Sequence, residues 1–204
     1  IVHPDSSPKG RETQICMNDY KYVDLILGKQ CQTKMGRGGI HPLEFKTFSK
    51  EMQNAITNYC QAGGNFFVSG AYVASDLWDN RLVKANEEDK KFAMEVLKYK
   101  WRVGQATRNG KVKSVASPFP EITGSYTYYQ DLNPESYVVE SPDALEPAAQ
   151  GAFTILRYPE NNLSAGIAYK GNYKTCVLGF PFEAIRTVTE RELLMKAILT
   201  FFEH

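Results

Sequence analysis

The chain has 204 residues and a formal net charge of +1 at pH 7. This length suits one domain, residues 1–204, with a substantial core. Lys and Arg are interspersed with acids, so charge provides no basis for binding nucleic acid or an anionic membrane. No apolar run approaches the roughly 20 residues that span a bilayer, and we expect no membrane insertion. The start at Ile1, without Met or a signal peptide, indicates a mature form or a fragment.

The four cysteines, Cys16, Cys31, Cys60 and Cys176, lack the Cys-x-x-Cys spacing of zinc and redox sites. We therefore predict no metal site and no cofactor. Small buried thiols are the favoured interpretation. A disulfide between Cys31 and Cys60, or a reactive Cys31, is the alternative.

The first twenty residues are polar and indicate a loop. Tyr22–Gly28 is a nearly continuous apolar run, typical of a strand that is covered on both faces. Ser49 is a plausible N-cap for a helix that reaches about residue 62, and Gly63-Gly64 ends it. The apolar residues 66–68 then predict a second strand.

Residues 87–99 predict a charged surface helix. Residues 100–103 and 112–115 predict two short strands joined by Asn109-Gly110, a strong turn pair. Residues 117–147 are rich in Pro, Ser, Tyr and acids, which predicts a long excursion over the surface.

Residues 153–158, 165–169 and 174–180 predict three more strands. Thr189 and Glu192 fit a capping box that opens a final helix. Strands alternate with helices early in the chain and dominate later. We therefore predict an α/β fold: a three-layer flavodoxin-like sandwich with a mostly parallel sheet and a β-rich insertion.

The strongest chemical signal is the segment 66–77, an apolar strand that turns at Ser69-Gly70 into a helix-like stretch. Several α/β folds place a nucleophile on such a turn, where nearby backbone N–H groups hold an oxyanion. Tyr72 occupies the candidate position. A phenol, with a pKa of about 10, is a poor acyl-transfer nucleophile without activation.

Two motifs resemble those of class I glutamine amidotransferases, whose elbow Gly-x-Cys-x-Gly is followed later by Phe-His-Pro-Glu. Residues 70–74 place Tyr72 at the cysteine, whereas residues 180–183 place Pro181 at the histidine and keep Glu183. Proline carries no proton to transfer, so the general base is missing as well. The resemblance, shared with ThuA-like domains, implies the fold of that superfamily and argues against the amidotransferase reaction.

Longer phrases resemble the C-terminal domain of Bacteroidetes proteins described as xanthan lyases. They are residues 24–30, 63–65, 68–72 and 179–183. This resemblance implies a non-catalytic module of a secreted, polysaccharide-related multidomain protein that binds other domains of that protein or a polysaccharide. An extracytoplasmic location (periplasmic, cell-surface or secreted) follows from the resemblance alone.

In open α/β sheets ligands bind beyond the carboxyl ends of the strands. That rule gathers residues 28–31, 69–76 and 180–183 at one edge. The candidate ligand-binding residues there are Gln30, Ser69 and Gly70, and the candidate catalytic residues are Tyr72, Ser75, Asp76 and Glu183.

Each catalytic candidate also has a structural interpretation. Ser75 and Asp76 are suited to attack a substrate or bind a sugar hydroxyl, but they equally suit the start of a helix. Glu183 is suited to act as a lone acid or contact a ligand, and its structural interpretation is a helix cap or a partner of Arg186 or Arg191. His41 is the only reasonable base for a serine hydrolase, since the other two histidines are near the termini.

Tyrosines crowd the excursion, and Tyr126 and Tyr128 are the candidate ligand-binding residues among them. Aromatic faces stack on sugars, and tyrosine is also enriched where domains meet. Three hypotheses follow: a non-catalytic module, a polysaccharide lyase or hydrolase acting at Tyr72, Ser75, Asp76 and Glu183, and a pure protein-interaction domain.

Overall fold

The computed structural model describes residues 16–31, 33–35, 43–78 and 86–204. The strands, in chain order, are β1 (Tyr22–Gly28), β2 (Thr33–Met35), β3 (Leu43–Phe45), β4 (Asn65–Gly70), β5 (Tyr99–Val103), β6 (Lys111–Ser114), β7 (Ser125–Thr127), β8 (Ala144–Pro147), β9 (Ala152–Arg157), β10 (Ser164–Lys170) and β11 (Lys174–Leu178). The helices are α1 (Lys50–Gln61), α2 (Ser75–Trp78), α3 (Glu87–Phe92) and α4 (Val188–Glu203). Short 3₁₀ turns span Met17–Asp19 and Phe182–Ala184, and a π-helical turn spans Ala93–Leu97.

The main sheet has seven strands in the order β1-β4-β11-β10-β9-β6-β7. β1, β4 and β11 are parallel, whereas every pairing from β11 to β7 is antiparallel. Two further antiparallel pairs, β2 with β3 and β5 with β8, form separate ribbons. The sheet is mixed and has few helices around it. The prediction of an α/β, three-layer flavodoxin-like sandwich with a mostly parallel sheet is therefore wrong.

Short connections explain the antiparallel part of the sheet. Only residues 171–173 lie between β10 and β11, and only residues 158–163 lie between β9 and β10. A parallel crossover needs a dozen or more residues, usually including a helix. These connections are too short for that, so the chain turns back on itself.

The elements of the first part of the chain form where local patterns predict them, but the prediction that strand 22–28 is covered on both faces is wrong, because Asp24 and Ile26 are exposed on this end strand. Tyr22–Gly28 forms β1, and the Ser49 side chain caps α1 by accepting a hydrogen bond from Met52 N at 3.3 Å. α1 buries Ile56 and Tyr59 against the sheet. The helix carries the chain back across the sheet, and β4 then pairs in parallel with β1.

The predicted hairpin across Asn109-Gly110 does not form. β5 pairs with β8, where Trp101 lies opposite Leu145, while β6 joins β7 and β9 in the main sheet. The dipeptide still makes a turn, since Gly110 has a φ of 60° and Asn109 Oδ1 accepts a hydrogen bond from Lys111 N. The turn therefore redirects the chain between two sheets.

Residues 117–147, predicted as an excursion over the surface, contribute one strand to the main sheet and one to the β5–β8 ribbon. β7 forms the far edge of the main sheet, and β8 pairs with β5. Phe119, Ile122 and Val139 are buried in the core, whereas Leu132 is almost fully exposed. Much of the segment is thus structural, and only part of it runs over the surface.

Two helix boundaries differ from the prediction. α3 ends at Phe92, a π-helical turn follows, and Lys98 adopts a left-handed φ of 67°, which lets Tyr99 begin β5. α4 begins earlier than predicted because Thr187 is its cap and accepts a hydrogen bond from Glu190 N at 3.1 Å. Residues 187 and 190 have the same Thr-x-x-Glu spacing as the predicted box.

The main sheet separates two buried clusters. Phe66 and Val68 of β4 pack with the buried face of α1, whereas Phe67 packs with the buried face of α4. Successive strand residues point to opposite faces, so α1 and α4 cover opposite sides of the sheet. None of the helices in the described ranges is long and apolar enough to cross a membrane.

Candidate functional site

The carboxyl ends of the three parallel strands bring the predicted edge residues together. Gly28 pairs with Gly70, and Ser69 pairs with Leu178. The approach at Gly70 is close, because a Cβ there would lie 2.9 Å from the Cβ of Leu27. The Gly28 carbonyl then accepts a hydrogen bond from Ala71 N at 2.9 Å, which fixes the start of the turn.

Asp143, which the sequence analysis did not select, binds the turn that follows β4. It comes from a segment 68 positions after Ser75. Its Oδ2 accepts hydrogen bonds from Ala74 N and Ser75 N, both at 2.8 Å, and from Ser75 Oγ at 3.2 Å. Its Oδ1 accepts one from Trp101 Nε1 at 3.2 Å. The N–H groups at the start of α2 are therefore occupied by a protein carboxylate.

The Asp143 carboxyl is completely buried. Burial raises its pKa to about 7, although the hydrogen bonds from Ser75, Ala74 and Trp101 act in the opposite direction. Desolvation disfavours the charged form, and donors to the carboxylate favour it. Near neutral pH this carboxyl is thus divided between its charged and neutral forms.

Tyr72, at the nucleophile position, is half-buried and packs against the cluster under α4. Burial raises the pKa of its hydroxyl above the ordinary value, and the nearby Cys31 and Glu140 act in the same direction. A higher pKa leaves less of the phenolate, the form that acts as base or nucleophile, at neutral pH. The predicted base, His41, lies outside the described residues.

The polar residues Ser75 and Asp76 make structural hydrogen bonds, whereas the hydroxyl of Ser69 does not. Ser75 is buried against Asp143, and Asp76 Oδ2 accepts a hydrogen bond from Thr47 N at 3.0 Å. Thr47 also donates from its hydroxyl to the Gln30 carbonyl at 3.0 Å. Ser69 is fully buried, and its Oγ has no hydrogen-bond partner in the structure.

Glu183 lies over the end of β1. Its Oε1 accepts a hydrogen bond from the Tyr137 hydroxyl at 2.5 Å, and its Oε2 is buried without a hydrogen-bond partner. Gly28 leaves room for both side chains, because a Cβ there would lie 3.3 Å from each. Arg186 pairs with Asp131 instead, and Arg191 donates to the Ile185 carbonyl, so neither serves as the predicted partner of Glu183.

The charge of Glu183 acts on Asp24 of β1 and raises the pKa of its carboxyl. Asp24 keeps part of its surface in water, yet burial of the carboxyl, with a second contribution from Glu183, raises its pKa to about 6. Glu183 is held by the Tyr137 hydroxyl at the end of β1, and its charge reaches Asp24 further back on the same strand.

Tyr126 and Tyr128, the aromatic candidates, lie in the core. Tyr126 is 3% exposed and donates to the Thr123 carbonyl, and Tyr128 is fully buried and stacks on Phe180. Their rings offer no face to a ligand in this conformation. Gln30 is exposed, and its side chain donates to the Lys46 carbonyl at 3.3 Å.

All four cysteines are present as thiols, so no disulfide joins Cys31 to Cys60. Cys60 and Cys176 are buried, and desolvation raises the pKa of both, to about 12 for Cys60. Across the described ranges, no group of three or more His, Cys, Asp or Glu residues is arranged to hold a metal ion.

A second surface feature is an apolar groove of about 610 Å³ along the outer side of α4, here called the α4 groove. Residues that line it include Phe182, Val188, Arg191, Met195, Lys196 and Leu199. Val188 is 59% exposed and Leu199 is 40% exposed. Ile26 of the edge strand β1 is exposed as well, at 45%. Apolar side chains therefore face water both in the groove and on β1.

No family model matches the chain, and no curated protein matches it in sequence. Among solved structures it is similar to the mmIFT52 N-terminal domain, with a TM-score of 0.50 and 12% identity over 77% of this chain and 72% of that one. It is also similar to the exo-β-1,4-mannosidase Op5Man5 from Opitutaceae bacterium strain TAV5, with a TM-score of 0.47 and 8% identity; the match covers 90% of this chain and 24% of the mannosidase. At such identity the first likeness concerns the fold alone. The resemblance to amidotransferases and xanthan lyases stays a prediction.

Proposed function

We propose that the chain is a non-catalytic module that docks against another protein domain. The observation that carries the non-catalytic part is the position of Asp143, whose Oδ2 occupies the N–H groups of Ala74 and Ser75. In a nucleophile elbow the N–H of the residue after the nucleophile, here Val73, meets the developing oxyanion, and the Asp143 carboxyl lies against the next two N–H groups of the same turn. A buried carboxyl in that place repels an anion instead. Tyr72, with a raised pKa, adds no activated nucleophile.

The α4 groove and β1 support the docking part. Isolated exposed apolar side chains are ordinary, but an apolar groove beside exposed apolar residues is typical of a surface that another protein covers. β1 is the end strand of the main sheet and pairs on one side with β4 in the described residues. An edge strand with an exposed Ile26 is a surface that proteins usually protect.

The resemblance to xanthan-lyase proteins extends this proposal. On that basis the partner is a neighbouring domain of the same secreted, polysaccharide-related protein, and the location is extracytoplasmic. The extension depends on the motif resemblance and not on the fold.

The non-catalytic part is tested by labelling with a fluorophosphonate probe, followed by mass spectrometry of the peptides that contain Tyr72 and Ser75. We expect no adduct on either residue, and no release of unsaturated products from acidic oligosaccharides. The control is Tyr72→Phe, which should behave like the wild type in both assays. Turnover that disappears in Tyr72→Phe, or an adduct on Ser75, would establish the enzyme alternative instead.

The docking part is tested by hydrogen–deuterium exchange, comparing the isolated 204-residue chain with the intact natural protein. We expect peptides from β1 and α4 to exchange more slowly in the intact protein. Peptides around Leu132, which is 96% exposed, serve as the control and should not change. Equal exchange of β1 and α4 in both samples would rule out docking through this face.

A further inference from the structure

The α4 groove lies between one flank of α4 and the edge strand β1, and two contacts place them side by side. Glu203, which lines the groove, accepts a hydrogen bond from the hydroxyl of Tyr22, the first residue of β1. Phe182, which also lines the groove, packs edge-to-face on Phe67, and Phe67 pairs with Asp24 in the sheet. The apolar surface therefore continues from α4 onto β1.

The side of β1 next to α4 is largely uncovered. Val23 and Leu25 pack on the α1 side of the sheet, whereas Tyr22 packs with the cluster under α4. Successive strand residues point to opposite faces, so Asp24 and Ile26 lie on the same side as Tyr22, and both are exposed. β1 and β4 are parallel, and parallel strands are normally covered on both faces. This side of β1 therefore has room for a further element in the α4 layer.

The flank of α4 that lines the groove has the pattern of a helix-packing surface. Val188, Met195 and Leu199 occupy positions i, i+7 and i+11, so they fall within about 40° of one another around the helix axis. Such a stripe interdigitates with the side chains of a second helix that lies alongside the first. α4 spans 16 residues, and its length of about 24 Å accommodates about four turns of a partner helix. One helix in this position would contact the stripe and cover β1 at the same time.

Asp24 determines which charge the covering element must carry. Lys21 and Lys29, which flank β1, already bind carboxylates of other segments. Within the described ranges no cation pairs with Asp24, and the negative charge of Glu183 acts on it. An element that covers β1 takes the Asp24 carboxylate out of water, and a buried carboxylate is costly unless it is paired. Charge complementarity therefore favours an element with a Lys or Arg at this point.

We infer that the α4 groove and the exposed side of β1 receive one amphipathic α-helix of the partner domain. Its apolar side packs on Val188, Met195 and Leu199, and one of its Lys or Arg side chains pairs with Asp24. The inference rests on the proposed docking function and identifies the element that docks. A partner strand added to the edge of β1 and a second copy of this chain are the competing occupants, and the experiment distinguishes them.

Photo-crosslinking in the intact natural protein measures the geometry of the occupant. The photo-reactive amino acid p-benzoylphenylalanine replaces Val188 in one sample and Leu199 in another, two positions that lie about 16 Å apart along α4. Mass spectrometry then locates both adducts in the partner. On a helix alongside α4 they should lie about 11 residues apart, whereas on an extended strand they would lie about five residues apart. Replacement of Leu193, which is 58% exposed but does not line the groove, is the matched control and should capture no partner segment.

Charge variants of the intact protein test the predicted cation. Asp24→Lys brings two cations together, so we expect α4 peptides to exchange deuterium roughly tenfold faster than in the wild-type intact protein, or more. Asp24→Asn removes the charge at nearly constant shape and should lose part of the protection, a result that does not depend on the strand tolerating a lysine. Glu121→Lys changes the net charge by the same amount as Asp24→Lys at an exposed position and should leave the exchange of α4 unchanged.

The helix and the docking proposal fail in different ways. Adducts about five residues apart, adducts on a second copy of this chain, or unchanged exchange in both Asp24 variants would overturn the helix. Docking would still stand in those cases if β1 and α4 exchange more slowly in the intact protein than in the isolated chain. Equal exchange in the two samples, with no adduct from Val188 or Leu199, would overturn both.

Discussion

Asp143 and Ser75 are separated by 68 positions in sequence, yet one carboxylate oxygen of Asp143 accepts hydrogen bonds from both the N–H and the hydroxyl of Ser75. Asp143 directly precedes β8, and its side chain contacts the turn at Ala74 and Ser75. Asp143 N also donates to the Gly179 carbonyl at 2.7 Å, which connects this residue to the end of β11. Within the described residues, Asp143 thus occupies part of the edge where a ligand is expected.

Removing the Asp143 side chain should destabilise the protein strongly. Asp143→Ala leaves the N–H groups of Ala74, Ser75 and Trp101 buried without an acceptor. Each unsatisfied buried donor costs about 1–3 kcal/mol, so we expect a loss of about 3–5 kcal/mol after partial relaxation. Urea unfolding followed by fluorescence measures it. Asp131→Ala is the control, because that side chain is 91% exposed and its partner Arg186 is 3.8 Å away. Similar losses for both variants would contradict the role given to Asp143.

The same carboxyl makes stability depend on pH. The pKa of Asp143 is about 7 in the folded protein, above its ordinary value of 3.8. The folded state therefore binds more protons than the unfolded state between those values, and stability falls as pH rises from about 4 to about 7. Asp143→Asn does not titrate and should remove this part of the slope. Urea midpoints measured at several pH values give both slopes. The idea fails if the variant and the wild type have parallel profiles.

Glu183 should control the titration of Asp24. Burial is the larger cause of the raised Asp24 pKa of about 6, and the charge of Glu183 is the second. Glu183→Gln removes the charge and keeps the shape, so the Asp24 pKa should fall but stay above its ordinary value. Carboxyl ¹³C NMR titration reports this directly. Glu121→Gln, an exposed residue in another part of the chain, should leave the Asp24 pKa at about 6. A pKa unaffected by Glu183→Gln would show that the two carboxyls do not interact.

Local patterns predicted the local structure of the first half well. The apolar run 22–28, the Ser49 cap and the Gly63-Gly64 stop each depend on residues close in sequence, and each appears in the structure. The proximity of residues 28–31 to residues 69–76 could also be predicted, because it requires only that β1 and β4 are parallel. Helix start signals were less certain where two Thr-x-x-Glu spacings overlapped, at Thr187 and Thr189.

Long-range pairing was not predictable from these patterns. β5 pairs with β8 and not with β6. This pairing depends on packing between segments that are distant in sequence, and the residues of β5 and β6 carry no local signal for it. The prediction of a mostly parallel sheet is wrong because it extends the strand and helix order of the first half to the second, where the connections between β9, β10 and β11 are too short for parallel crossovers. Asp143 was missed because a lone acid before a short strand carries no local sign of burial.

The position of Asp143 also depends on a glycine. A Cβ at Gly179 would lie 2.1 Å from the backbone oxygen of Asp143. Only a shift of the main chain can relieve this clash. Gly179→Ala should therefore displace the Asp143 segment and cost about 1–3 kcal/mol or more, as overpacking does. Gly104→Ala is the matched control, since its new Cβ would lie an ordinary 3.7 Å from Asp143 Oδ1 and Ser141 Oγ. Thermal unfolding of the two variants compares the losses, and Trp101 fluorescence reports whether the Asp143 contact persists. An unchanged stability of Gly179→Ala would mean that the backbone around Asp143 is packed less tightly than its contacts indicate.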